Sequence, residues 1–403
     1  MILAVATLSL VVSNGLAITG IPVFSKPIRE EFVAIGAIDA AWAESFIASC
    51  ANITFLTSGV FSLIGGWLIT RYRLKPMMLV GCVLVGVGLV LHSQAETANV
   101  VYFARFLIGA SLGFIGVAPC VVLVSNWFDT GRGTALGIVL TGTSIGGVIL
   151  PPITTPLIAN YGWRTSMLAV SAVVWLVLLP AILFFVKERE KRPEQPAPSL
   201  APVDNTAGIT LAEALRSPIF WAFAALAALV FYPVVATSQQ FILYVQTPQI
   251  GMSAAMAAGV QSSLFASTFT GKLAAGFLSD KLGAVRVMAS CAFVMFLASL
   301  VLFGLTATTA LVFLIPFGFG YGGAFVLLQR LASDFFGRRE IGKILGLITL
   351  IEVTGAAIGG RITGHLADQN NGDYTQAFYG VTIAAALAFV TTLSISFLSP
   401  KRK

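Results

Sequence analysis

Long runs of apolar residues dominate the chain, each closed off by a short polar or charged segment. They lie near 2–24, 42–68, 77–94, 101–125, 134–158 and 166–186, then near 218–244, 254–279, 286–306, 309–329, 343–366 and 376–398. Crossing the hydrocarbon of a bilayer takes about 20 mainly apolar residues in a helix. Each run therefore predicts one spanning helix, twelve in all. Strands of a membrane barrel alternate over segments of about ten residues. These runs are longer and apolar on every face, so the pattern predicts an all-α membrane protein.

The rhythm breaks once, over KEREKRPEQPAPSLAPVDNTAGITLAEALR at 187–216. This segment is charged, then rich in Pro, Ala and Ser, then briefly amphipathic. It predicts a flexible linker ending in a short interfacial helix near 209–216. It divides the spans six and six, into an N-terminal bundle (1–186) and a C-terminal bundle (217–403).

The two halves repeat each other. Gly66-Trp67-Leu68-Ile69-Thr70-Arg71 follows span two, and Gly276-Phe277-Leu278-Ser279-Asp280-Lys281 follows span eight. Ser125-Asn126-Trp127-Phe128 with Arg132 and Gly133 follows span four; Ser333-Asp334-Phe335-Phe336 with Arg339 and Gly342 follows span ten. Gly66 and Gly276 are 210 residues apart, and Gly133 and Gly342 are 209 apart. A register held at two separated places predicts pseudo-symmetric bundles, with a transport site near the midplane between them.

Composition fits a lipid solvent. The chain is 57% hydrophobic and 10% charged, with a mean hydropathy of +0.91, against about a quarter charged in soluble domains. Met1 leads directly into the first run without a basic leader, so residues 2–24 read as a retained span. Cys50, Cys82, Cys120 and Cys291 all lie inside apolar runs and form no CxxC, and His92 and His365 are far apart in sequence. No disulfide, metal site or cofactor is expected.

The net charge of +7 is placed asymmetrically. One set of loops holds Arg71, Arg73, Lys75, Arg132, Lys187, Arg189, Lys191, Arg192, Arg216, Lys281, Arg286, Arg330, Arg338, Arg339 and Lys343, with Lys401–Lys403 in the tail. The opposite loops hold Lys26, Arg29, Arg164 and Arg361. This bias predicts an inner-membrane protein with both termini cytoplasmic, and the charge is spent on topology and not on nucleic acid.

The motifs carry a resemblance. Gly276–Gly283, GFLSDKLG, resembles the G-x-L-x-D-[RK]-x-G loop signature of the major facilitator superfamily. Arg105 and Gly109 resemble the R-x-x-x-G of that family's fourth helix. In the first half Thr70 stands where the family has an acid and Arg73 where it has a second glycine. The resemblance implies that Asp280, with Arg286 and Arg71 as gating residues, forms a latch near a helix N-terminus of the other half. The missing acid puts the first-half latch in doubt.

A finer resemblance is to the oxalate–formate antiporter and monocarboxylate transporter branches. It rests on Leu215-Arg216-Ser217-Pro218-Ile219-Phe220-Trp221 and on Asn126-Trp127-Phe128 followed by Arg132-Gly133. It implies a carrier of small carboxylate anions, by proton symport or anion exchange.

Intramembrane charges are the sharpest chemical signal, because each is costly unless paired or facing a cavity. Lys272 lies eight residues before Asp280, roughly 12 Å into the span at 1.5 Å per residue, on a small, polar face with Gln261, Thr268, Gly276 and Ser279. The oxalate branch has a substrate-contacting arginine here. An ammonium in that place offers a carboxylate a charge-assisted hydrogen bond; a structural cation is the plainer role. Glu352 sits at comparable depth in span eleven, where the oxalate branch has a lysine. The reversed sign argues against a dianion and for a monoanion moving with a proton. Lys272 and Glu352 are expected to neutralise each other when no substrate is bound, or to form a permanent bridge. For Arg105 the resemblance implies a part in proton coupling or in helix packing. Tyr321 and Phe325 stand where the oxalate branch lines its site with aromatics, although the glycines around them suit close helix packing equally. Tyr232, Gln239 and Asn14 are further substrate-binding candidates.

The expected function is alternating-access transport of an organic monocarboxylate, with H+ and the bilayer as the other partners, by a monomer. Efflux of drugs or other amphipathic compounds, and a sensor that binds without transporting, are the alternatives. No paired catalytic acids, Ser–His couple or HExxH is present, so an enzyme is not expected.

Overall fold

The computed structural model describes residues 1–128, 130–186, 208–247, 250–370 and 374–398. These form helices joined by short turns. Among the described residues, nine helical runs are long and apolar enough to cross a membrane. One of them, Arg132–Phe185, has 54 residues; at about 1.5 Å per residue it would overshoot a ~30 Å core more than twofold. It folds back at Gly162, whose φ of 76° is open to glycine at no cost. That run is spans five and six. Pro218–Val245 is span seven and Ala254–Leu282 span eight, which completes the twelve-helix, two-bundle architecture that the hydropathy pattern predicts.

In the first bundle, span one is Ile2–Ala34, span two Ala43–Arg71 and span three Leu74–Ser93. Span four is two helices, Ala98–Ile115 and Val117–Trp127, broken at Gly116. In the second, span nine is Ala284–Gly304, span ten Ala310–Phe336, span eleven Ile341–Gln369 and span twelve Thr375–Leu398. The perimeter is apolar and exposed, as at Phe397 (87%), Leu176 (75%) and Phe184 (72%). Side chains this apolar are stable on a surface only against lipid. The chain is therefore a multi-pass membrane protein.

Span one carries a widened, π-helical stretch at Val11–Gly20. Such stretches free backbone groups and often mark functional positions. Here the backbones of spans one and five nearly touch: a Cβ on Gly15 would stand 2.6 Å from Gly146 Cα.

The repeated glycines meet each other across the two bundles. A Cβ on Gly133 would lie 2.6 Å from the Gly276 carbonyl, and one on Gly137 2.8 Å from the Lys272 carbonyl, joining span five to span eight. By the repeat, a Cβ on Gly66 would lie 2.1 Å from the Gly342 carbonyl and one on Gly346 2.4 Å from the Ser62 carbonyl, joining span two to span eleven. Any larger residue forces these helices apart, because helix backbones approach this closely only through small residues. Both seams are shut at the basic end of the molecule.

Of the linker, 187–207 lies outside the described residues. Its last part docks on the second bundle: Ile209 N donates to Phe336 O at 3.0 Å and Leu211 N to a Glu340 carboxylate oxygen at 2.8 Å. The expected short helix is Leu211–Arg216, opened by a Thr210/Glu213 capping box.

Candidate functional site

Lys272, Phe325, Tyr321 and Glu352, picked from separate parts of the sequence, come together between the bundles. Tyr321, Phe325 and Gln329 follow one another at i, i+4 and i+8 on span ten and so share one face. The glycines among them bring span ten onto its neighbours. A Cβ on Gly322 would lie 2.3 Å from the Thr268 carbonyl of span eight, and one on Gly323 2.5 Å from Cys291 Sγ of span nine. The packing role considered for this glycine run is real, and the rings of Tyr321 and Phe325 lie beside it, their centres 6.1 Å apart.

Lys272 is 3% exposed. Its Nζ donates to Thr143 Oγ1 at 2.6 Å and Ser144 Oγ at 2.7 Å, both on span five, and stands 5.1 Å from the Phe325 ring centre. Ser144 is in turn bonded to Thr268 at 2.9 Å. The ammonium therefore bridges the bundles through neutral hydroxyls and an aromatic face. Hydroxyls and a ring supply dipole and quadrupole attraction but no counter-charge. Phe231 of span seven, which sequence reasoning missed, closes the aromatic wall 6.0 Å from both Tyr321 and Phe325.

Glu352 is 4% exposed. It accepts from Gln329 Nε2 at 3.2 Å, a partner not anticipated from sequence. The expected Lys272–Glu352 pairing is not formed: among the described residues no ion pair joins them, and each charge is held by neutral groups of a neighbouring helix. The physical reason lies in the repeat. Lys272 is 210 residues after Ser62, and Glu352 is 209 after Thr143. The two charges therefore belong to opposite seams; Lys272 faces Thr143, the counterpart of Glu352, while Glu352 is held by Gln329 of span ten.

The remaining candidates lie elsewhere. Asn14 faces the break in span four, its Oδ1 3.3 Å from where a Cβ on Gly116 would be and 3.4 Å from Ser13 Oγ. Tyr232 packs towards span twelve, with its Oη 2.9 Å from a Cβ on Gly380, and does not join the cluster. The side chains of Gln239 and Gln261 lie outside the described residues. Arg105 is buried in the first bundle beside Cys50 and within electrostatic reach of His92, apart from Glu352.

Asp280 makes the latch. Its carboxylate accepts from Gly133 N at 3.0 Å, Thr134 N at 2.8 Å and Thr134 Oγ1 at 2.8 Å, capping span five across the seam. A carboxylate at a helix N-terminus gains from both the free N–H groups and the dipole. The bracing cation is Arg330 of span ten, whose Nη1 reaches Asp280 Oδ1 at 2.5 Å and Ser279 Oγ at 2.7 Å. Arg286, the expected partner, is exposed and two residues inside span nine. Arg71 lies 4.2 Å over the ring of Trp67, one turn back on its own helix. Neither belongs to this latch. Thr70, at the matching place of the other seam, donates its hydroxyl back to Trp67 O at 2.7 Å and so makes no such cap.

The Major Facilitator Superfamily profile matches residues 3–359 and 241–403. MFS transporter asaE of Aspergillus flavus is 30% identical over 306 residues, 73% of this chain; the chain spans 66% of its length. Monocarboxylate transporter 13 of Rattus norvegicus is 28% identical over 353 residues, 85% of this chain and 78% of the relative. The Fujikurins efflux protein of Gibberella fujikuroi is 28% identical over 342 residues, 79% and 69% of the two chains. Among solved structures, the proton:xylose symporter XylE bound to 6-bromo-6-deoxy-D-glucose aligns with a TM-score of 0.77 at 14% identity, over 99% of this chain and 95% of that one, a likeness of fold alone. With helices paired by repeated glycines, a latch at one seam and a profile match along nearly the whole length, this chain belongs to the Major Facilitator Superfamily.

Proposed function

We propose that this transporter carries small organic monocarboxylates together with a proton, by rocking residues 1–186 against 217–403 in alternating access. One observation supports the substrate class above the rest: the buried Lys272 ammonium spans the bundles on two hydroxyls and a ring, with no acid among the described residues to neutralise it. A carboxylate entering there exchanges neutral partners for a charged one, a gain of about 1.5–3 kcal/mol per charge-assisted bond. Glu352, the buried acid of span eleven, takes up the proton. One buried base and one buried acid on separate seams fit a monoanion moving with a proton better than a dianion. Similarity to Monocarboxylate transporter 13 points the same way. The bias of basic residues supports an inner-membrane carrier with both termini cytoplasmic, read here as a monomer.

A second reading, export of a larger amphipathic acid, draws on the likeness to the Fujikurins efflux protein and on small residues in span one, Ser13-Asn14-Gly15 and Gly20. Thermal-shift measurements on the purified protein across pH separate the two. Acetate, lactate or pyruvate should stabilise it, and more strongly as pH falls. Stabilisation only by lipophilic acids favours the export reading, and stabilisation only by cations or neutral drugs overturns both.

A further inference from the structure

Gln329 is 1% exposed, and its two amide atoms fare differently. Nε2 donates to Glu352, while Oε1 is buried with no donor among the described residues. A buried polar atom without a partner is costly. The orientation is dictated by chemistry, because an ionised carboxylate only accepts and must be offered the amide N–H. Once Glu352 binds a proton, the demand reverses. The acid O–H now donates, and Oε1 is the acceptor waiting for it.

Resting on the carrier reading above, we infer that Gln329 couples the proton to the anion by rotation of its side-chain amide. With Glu352 ionised, Nε2 is bound to it and unavailable to the substrate. With Glu352 protonated, the amide turns over, Oε1 accepts the new O–H, and Nε2 is released to donate to the substrate carboxylate beside Lys272. Proton binding thus adds one donor and removes one negative charge from the space the anion enters. The reverse holds by linkage, since a bound carboxylate that takes Nε2 favours the protonated acid.

The position allows this. Gln329 is one turn from Phe325, whose ring faces the Lys272 ammonium, and one helix from Glu352. The other titratable groups around Glu352 leave the task to Gln329. Tyr321 of span ten feels the Glu352 charge; Lys272 of span eight stands beyond Phe325; Tyr232 of span seven is turned to span twelve. Span two has no ionisable side chain between Ser45 and Thr70 except Cys50, and Cys120 is the one such group on the second half of span four. On span twelve the nearest in kind is Tyr379, on the exposed perimeter.

The test is pyruvate transport by proteoliposomes of the full chain. The wild type should bind pyruvate about tenfold more tightly at pH 5.5 than at pH 7.5, the effect of about 1.4 kcal/mol of coupling. Gln329→Met keeps length and apolar volume but has no amide; it should show weakened yet measurable pyruvate counterflow, with an affinity that changes less than threefold over that range. A variant that keeps the tenfold pH dependence overturns the inference and leaves the carrier reading standing. A wild type with no counterflow of pyruvate, lactate or acetate overturns both. Should the variant fail to fold, pH-difference infrared spectra decide. A side-chain amide band titrating with the carboxyl in wild type, and lost in Glu352→Gln, supports the rotation; a titrating carboxyl with a silent amide overturns it.

Discussion

The two seams between the bundles share a backbone design and differ in chemistry. Span five meets span eight, and span two meets span eleven, through glycines at matching places in the repeat. Among the described residues, the first carries a polar bolt, a carboxylate that caps the facing helix. Asp280 caps span five and is braced by Arg330, whereas Thr70 turns back on its own helix. The difference shows that close approach and locking are separable. Glycine lets the helices meet, and a charge on a helix N-terminus determines how long they stay together. A carrier must break both seams once per cycle, so a single bolt makes one seam the firmer of the two.

Packing should fail most severely. Gly133→Leu places a side chain where even a Cβ would stand 2.1 Å from Arg330 and 2.6 Å from the Gly276 carbonyl. The variant should lose more than tenfold in counterflow, and cysteines introduced at the basic end should label faster. Unchanged labelling would show that the seam does not depend on this contact.

Removing the bolt should cost less. Asp280→Asn loses charge-assisted bonds worth about 1.5–3 kcal/mol, enough to shift the balance of closed and open states at the basic end by about tenfold or more. Spin-label distance distributions across spans five and eight measure that shift, and an unchanged distribution would mean the glycines alone hold the seam.

Adding the missing bolt sharpens the comparison. Thr70→Asp supplies a carboxylate facing the N-terminus of span eleven, and a new cap is worth about 0.5–2 kcal/mol. It should stabilise the closed basic end and slow counterflow by a few-fold. Faster counterflow would contradict the pseudo-symmetric reading.

The smallest effect should come from the docked linker. The Leu211 N–H, with help from Lys343, holds the Glu340 carboxyl below the ordinary glutamate value. This contribution is present above a pH of about 4.3 and fades as pH falls through the depressed value. Glu340→Gln should raise amide hydrogen exchange at 209–216 at neutral pH and leave transport near wild type. The difference from wild type should vanish in acid.

Architecture was legible in the sequence because the bilayer imposes it on every span, and the 209–210-residue repeat marked both seams. Lys272, Glu352, Phe325 and Tyr321 were legible because an intramembrane charge has few cheap explanations and the aromatics matched a known pattern. Gln329, Phe231 and Arg330 were not. A buried amide, one phenylalanine among 30 and a loop-side arginine acquire meaning only when helices distant in sequence bring them to a charge. For the same reason sequence proximity points to Arg286 as the partner of Asp280, whereas Arg330 is the one that reaches it in space. Tyr232 sat on the right helix but on the wrong side of it, a distinction that periodicity alone does not make where both faces are apolar.

The central claim is that the Lys272 ammonium receives the substrate's carboxylate. Pyruvate counterflow in proteoliposomes of wild type, Lys272→Arg and Lys272→Ala, all at one pH, tests it most directly. The account predicts that alanine loses at least about tenfold, as expected for one charge-assisted bond, while arginine, which keeps the charge, retains measurable exchange. Counterflow by Lys272→Ala within twofold of wild type would contradict it.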